Sequence, residues 1–172
     1  GIDLEVWNPA HDPFLASPYD QHSIASRDPN KADLQRAIGL PVVPRLPLLA
    51  MITRLDVQKG VDLLIEALER LAQRRWQLVL LGTGDSRLEE RAGTFAAREP
   101  DRIRFLPTFD AELARRIYAG ADMLLVPSRY EPCGLVQMIG MRYGAVPVVH
   151  ATGGLKDTVA PFAPEGKGTG FL

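Results

Sequence analysis

Cysteine is almost absent: Cys133 stands alone among 172 residues. A lone thiol cannot close an internal disulfide, so a reducing compartment, the cytoplasm, is the expected setting. Long apolar runs are missing too. Stretches such as Leu78–Leu81 and Met123–Pro127 fall far short of the ~20 residues that cross a bilayer. No secretory leader is visible. Neither sign of charge dominates, with 20 Lys and Arg against 21 Asp and Glu. That balance gives no broad basic field for nucleic acid or an anionic membrane. No Asp-x-Asp pair occurs, which disfavours a transferase that holds its nucleotide through a metal. His11, His22 and His150 have no ligand spacing with one another or with Cys133, so no zinc site is expected.

What is present is ordinary for a globular domain: 46% apolar residues and 24% charged, in a length that suits one sizeable core. The first forty-five residues differ from the rest. Asn8–Pro9, Asp12–Pro13, Ser17–Pro18 and Asp28–Pro29 interrupt them, and a residue before proline disfavours helix. Residues 1–45 therefore read as an extended, surface-hugging lead-in from the interdomain connection, packed on the domain. One short helix is expected from Asn30 to about Ile38, capped by Asp28 or Asn30 and ended by Gly39. The chain begins on Gly1 and ends on Gly170–Phe171–Leu172; both ends read as cuts in a longer protein.

From Leu46 onward apolar strands alternate with amphipathic helices. Strands are expected at Leu46–Ile52, Gln77–Leu81, Arg102–Leu106, Met123–Val126 and Val146–Val149. Helices are expected from near Gln58, at Ser86–Arg98, Ala111–Ala119 and Leu135–Tyr143. Val61, Leu64, Ile65, Leu68 and Leu71 supply one helical stripe. Near-continuous apolar strands between helices imply a parallel sheet covered on both faces. Residues 46–172 thus read as an α/β, doubly wound, Rossmann-like domain, with ligand at the strand-to-helix loops.

Three such loops carry chemistry. In Thr53–Gly60, Arg54 offers a planar fork for phosphate oxygens and Lys59 a compact charge. Gly60 lets backbone approach a ligand. From spacing alone, a phosphate clamp and a pair of solvated charges are equally good readings. In Pro127–Leu135, Pro132 suits a helix start and Gly134 exposes backbone N–H groups, so Glu131 stands just before a nest of donors for a diphosphate. A helix cap is the alternative role for Glu131, and Cys133 reads as a small residue chosen for fit. The third loop, Gly82–Thr83–Gly84–Asp85, is no dinucleotide fingerprint, because Arg87 stands where the third glycine belongs. Gly166–Lys167–Gly168–Thr169 likewise fails as a phosphate loop.

Taken in order, several motifs resemble the C-terminal half of bacterial glycogen and plant starch synthases. They are Gly1–Asp3 with Trp7–Pro9, Thr53–Leu55 with Gln58–Gly60, Leu81–Asp85, Pro127–Leu135, Arg142–Gly144, and Thr152–Leu155 with Asp157–Val159. The resemblance implies the C-terminal domain of a GT-B fold and a retaining transferase. Such an enzyme moves glucose from ADP-glucose to the non-reducing end of an α-1,4-glucan without a metal or other cofactor. It implies that Arg54 and Lys59 clamp the diphosphate and that Glu131 holds sugar hydroxyls. Donor contacts would come from Gly82, Gly84, Cys133, Gly134, Leu135, Gly153 and Gly154. Phe109 stands where the family places a base-stacking Tyr. An absent N-terminal domain would bring the Lys-x-Gly-Gly-Leu loop and the acceptor contacts, so this chain alone is expected to bind nucleotide weakly and to catalyse nothing measurable.

Some positions depart from that pattern. Val136 replaces a Thr, Ile139 stands where relatives carry Tyr or Glu, and His150–Ala151 replace a basic pair. These departures leave room for a related transferase that uses UDP-glucose or another nucleotide sugar. A non-catalytic nucleotide-binding module and a dehydrogenase-type domain are the readings from other classes; the failed fingerprint counts against the second.

Overall fold

Successive side chains of the central strands go to two different cores. In the computed structural model, which describes residues 1–172, Leu48 and Ala50 face one helical layer while Leu49 and Met51 face the other. Val79 and Leu81 of the next strand divide from Leu78 and Leu80 in the same way. This alternation turns an unbroken apolar run into a strand buried on both sides.

The elements in chain order are α1 (Asp28–Ala37), β1 (Leu48–Ile52), α2 (Val61–Arg70), β2 (Gln77–Leu81), α3 (Ser86–Arg98) and β3 (Ile103–Leu106). They continue with α4 (Ala111–Gly120), β4 (Met123–Val126), α5 (Val136–Arg142), β5 (Val146–Val149) and α6 (Gly153–Thr158). Five strands form one sheet in the order β3-β2-β1-β4-β5, and every pairing is parallel. The α/β, doubly wound architecture is thus as the sequence implied. Helices α2 and α3 cover one face; α1, α4 and α5 cover the other. Strand order reverses between β1 and β4, and a crevice opens outside the carboxyl ends of strands at such a point.

Differences from expectation have local causes. A 3-10 turn at Ile24–Arg27 runs directly into α1, so the helix starts at Asp28, two residues early, with Pro29 in its first turn. Neither Asp28 nor Asn30 caps it. Instead the Asn30 amide donates to Ser17 O at 2.8 Å and its oxygen accepts from Ser17 N at 3.1 Å. A separate 3-10 turn, Val57–Lys59, precedes α2, and Gly60 between them takes φ +74. Helix α6 has no counterpart in the sequence reading, since six residues with two glycines carry no apolar period.

The lead-in is neither extended nor confined to the surface. It is a chain of turns whose Tyr19 joins the core with Leu34, Ile38 and Leu40. The Asp12 carboxylate is wholly buried. It accepts from Tyr143 Oη at 2.5 Å, from Arg115 Nη1 at 2.9 Å and from Phe14 N at 3.1 Å. Trp7 lies beneath the Arg115 guanidinium at 4.4 Å. Tyr19 Oη donates to Tyr143 O at 2.8 Å.

Burial pushes the Tyr19 hydroxyl from 10.0 up to about 12, and it also raises Tyr118 and Tyr143. Above pH 10 the unfolded chain loses these protons while the folded chain keeps them. Stability is therefore whole below pH 10 and falls as the pH climbs toward 12. Urea midpoints measured across that window should drop, and Tyr19→Phe should flatten the drop by one titrating group. An equal slope in the variant would mean that Tyr19 does not titrate with unfolding.

Candidate functional site

Two strand-to-helix loops meet edge to edge where the sheet reverses order. After β1, Asp56 caps the Val57–Lys59 turn by accepting from Lys59 N at 3.0 Å, and it also accepts from Arg54 Nε at 2.8 Å. Gly60 then passes so close to β4 that a Cβ would lie 2.3 Å from Pro127 O. Together with its left-handed φ, this leaves no residue but glycine there. Along the seam, Arg129 N donates to Gln58 O at 2.8 Å and Gln58 Nε2 to Tyr130 O at 2.8 Å.

That register brings Lys59 and Glu131 together, 72 residues apart in sequence, with Nζ 2.6 Å from Oε2. Their side chains are 23% and 12% exposed, so the pair is shielded yet reachable. Ser128 Oγ also donates to Glu131 Oε2, at 3.1 Å. An ammonium has three donors, and the Glu131 contact uses one of them. Close by, the backbone amides of Gly134 and Leu135 donate to no acceptor in the chain.

Lys59, Ser128, Glu131, Cys133, Gly134 and Leu135 line a cleft of about 310 Å³. Beside it lies a larger one of about 540 Å³, lined among others by Arg54, Gly82, Thr83, Gly84, Thr108 and Phe109. Ile52 and Thr53, at the carboxyl end of β1, line both. Phe109 is 89% exposed, a flat apolar face standing at the rim. Arg54 is also largely exposed and is paired with Asp56 at 2.8 Å. Arg54 thus lines the larger cleft and not the one that Lys59 lines. The Gly82–Gly84 turn packs flat on the first loop, with Leu55 bridging Gly84. The Thr83 hydroxyl and Gly84 amide hold the nearby Glu89 carboxyl below its ordinary range.

Gly153 and Gly154 line neither cleft. They pack beneath the Glu131 loop, where Gly154 N donates to Glu131 O at 2.9 Å. Cβ atoms there would stand 2.2 Å from Glu131 O and 2.0 Å from Cys133 O. Their place in the structure is as a close-fitting floor.

Thr53, which the sequence marks only as the start of its loop, lines both clefts, and two further residues carry no sequence motif: Thr108, which lines the larger cleft, and Gln137. Gln137, on α5, is fully buried; its Nε2 donates to Gly134 O and to Thr158 Oγ1, both at 2.9 Å. Thr158 Oγ1 donates in turn to Gly154 O at 2.6 Å. One amide so ties the Glu131 loop to α6. The signal is a glutamine at the second position of a helix whose other residues up to Met141 are apolar or glycine, a polar group whose Nε2 burial obliges to find partners.

The chain matches a family model described as "Glycosyl transferases group 1" over residues 46–170. Glycogen synthase from Streptococcus uberis is 48% identical over 99% of this chain, which covers 36% of that protein. The catalytic domain of starch synthase IV from Arabidopsis thaliana, solved with ADP and acarbose, superposes with a TM-score of 0.89. It is 38% identical, over 96% of this chain and 34% of that one. An Anabaena protein solved with UDP-glucose has the same fold at 23% identity and a TM-score of 0.70, over 100% of this chain and 41% of its own. The chain spans about a third of the length of the glycogen synthase and the starch synthase domain. No helix is long and apolar enough to cross a membrane.

Proposed function

This chain belongs to the group 1 glycosyl transferases, and from that premise we propose that it is the donor-binding part of a retaining glucosyltransferase. The donor is ADP-glucose and the acceptor the non-reducing end of an α-1,4-glucan, held by an N-terminal domain of the same enzyme. The observation that carries this reading is the Lys59–Glu131 pair at 2.6 Å, set beside the unbonded amides of Gly134 and Leu135. A diphosphate needs fixed positive charge and donors; a sugar needs an acceptor for its hydroxyls.

When the bond from glucose C1 to phosphate oxygen breaks, the electron pair leaves with ADP and positive charge grows on the sugar ring. Donors already in place stabilise the departing anion better than water that must reorganise. Lys59 meets a phosphate oxygen with an N–H that Glu131 leaves free, and the two amides take another. Arg54 leaves Asp56 to reach the anion from the larger cleft. Glu131 accepts from glucose hydroxyls, and the nucleobase stacks on Phe109. In this reading the cations and amides carry the anion's charge without a metal or resident cofactor.

A UDP-glucose donor is the second reading. Phe109 favours it in one respect, because an apolar face without a hydroxyl holds either base. Titrating the chain with ADP-glucose and UDP-glucose side by side decides the matter. Tighter binding of ADP-glucose supports the proposal, and a preference for UDP-glucose moves the donor to the second reading. Binding of NAD alone would overturn both.

A further inference from the structure

We propose that Arg129 and Asp62 form a positioning brace that sets the register between the loop carrying Lys59 and the loop carrying Glu131. The proposal rests on the donor-site reading of those two residues.

Arg129 lines neither cleft, yet its guanidinium makes three short bonds. Nη1 donates to Asp62 Oδ1 at 2.8 Å and to Val57 O at 2.7 Å, and Nη2 donates to Asp62 Oδ2 at 2.7 Å. A planar fork on a carboxylate fixes orientation as well as distance. The third bond ties the same plane to the backbone at the start of the Val57–Lys59 turn. One rigid group thus pins that turn and the acidic residue of α2's first turn to the Glu131 loop. Two residues further along each segment, Lys59 faces Glu131.

The pair is partly exposed, at 38% and 22% of the side chains, and ion pairs of that kind contribute little to stability. Its geometric effect is larger, because apart from the Lys59–Glu131 contact itself the neighbouring seam bonds are few: Arg129 N to Gln58 O and Gln58 Nε2 to Tyr130 O. With the brace gone, those bonds and the packing of Gly60 on Pro127 keep the loops adjacent but leave the Lys59 and Glu131 side chains free to shift. An ammonium and a carboxylate that must share one ligand tolerate little sliding, since misplacement by about 1 Å sharply weakens a shaped site. The Arg129 fork also holds the Asp62 carboxyl below its ordinary range, so the brace stays charged across neutral pH. Lysine cannot replace it, because one ammonium cannot grip both carboxylate oxygens and Val57 O in a plane.

The test uses the 172-residue chain with ADP as probe, titrated calorimetrically alongside thermal melts. Arg129→Gln, Arg129→Lys and Asp62→Asn should each weaken ADP on the order of tenfold, with melting points nearly unchanged. Arg129→Gln/Asp62→Asn should be no weaker than either single variant. In a Lys59→Ala background, Arg129→Gln should have no further effect, because a positioning residue acts through the group it positions. ADP affinity within about twofold of the parent in Arg129→Gln, beside a clear loss in Lys59→Ala, would overturn the brace while leaving the donor site intact. A loss of equal size in both backgrounds, with a lowered melting point, would also overturn it in favour of a purely structural role. If Lys59→Ala itself left ADP affinity unchanged, the donor-site reading would fall, and the brace with it.

Discussion

Lys59→Ala is expected to lower kcat/KM for glucosyl transfer by about 10²–10³ in a full-length enzyme carrying this chain. The loss exceeds that of one hydrogen bond because of what remains. Glu131 lies 2.6 Å from Nζ, with Ser128 as its other side-chain partner. Without the ammonium, a carboxylate faces the incoming diphosphate uncompensated. Two unit charges about 4 Å apart near a protein surface interact by roughly 4 kcal/mol, here as repulsion. The variant should therefore lose ADP affinity as well as rate. Adding Glu131→Gln to it should restore part of the affinity, although turnover stays low because the acceptor for the sugar hydroxyls is impaired. Steady-state kinetics and ADP titration separate the two effects. Near-parental kcat/KM in Lys59→Ala would remove Lys59 from the mechanism.

The largest effect on stability is expected at Asp12, far from the clefts. Its carboxylate is fully buried and serves Tyr143, Arg115 and the Phe14 amide at once. Asp12→Ala leaves the Arg115 cation, 18% exposed, without its counter-charge and the Tyr143 hydroxyl without its acceptor. Breaking a buried pair from one side costs about 3–5 kcal/mol, or on the order of 6–20 °C in a domain of this size. Asp12→Asn keeps the shape and an acceptor, so it should cost distinctly less. Urea unfolding of both variants checks this. A loss below about 1 kcal/mol in Asp12→Ala would mean that the network does not anchor the amino-terminal segment.

Most of the sheet was legible because its strands are short apolar runs: β1 and β2 are buried on both faces, β4 and β5 stay apolar although one face of each is partly exposed, and β2, β4 and β5 begin and end on the residues that the runs named. Helix α3 was equally plain, with Asp85 capping it through Arg87 N and Leu88 N. Helix α6 was not, since it exists through close packing of Gly153 and Gly154 on carbonyl oxygens rather than through any apolar stripe. The amino-terminal segment announced its turns through its prolines but hid its burial. Asp12 and Tyr19 are satisfied by Arg115 of α4 and by Tyr143, just past α5, partners 103 to 131 residues away that no local spacing marks.

At the clefts, residue types revealed which loops matter, and geometry supplied the pairings. Lys59 and Glu131 drew notice separately, as a cation and an acid on different loops; their mutual contact depends on the seam between residues 57–59 and 129–131. Arg129 and Asp62 look like any two surface charges in the sequence. Gln137 gave only a faint sign, one amide within an apolar helix. Pairings across 67 to 72 residues are written in topology, not in local spacing.

A crystal structure of the chain with ADP-glucose would test the donor site most directly. The diphosphate is expected within hydrogen-bond reach of Lys59 Nζ and the Gly134 and Leu135 amides, with glucose hydroxyls on Glu131 and the base against Phe109. Density for the nucleotide on any other edge of the sheet, with the Lys59–Glu131 pair touching no part of it, would contradict the account.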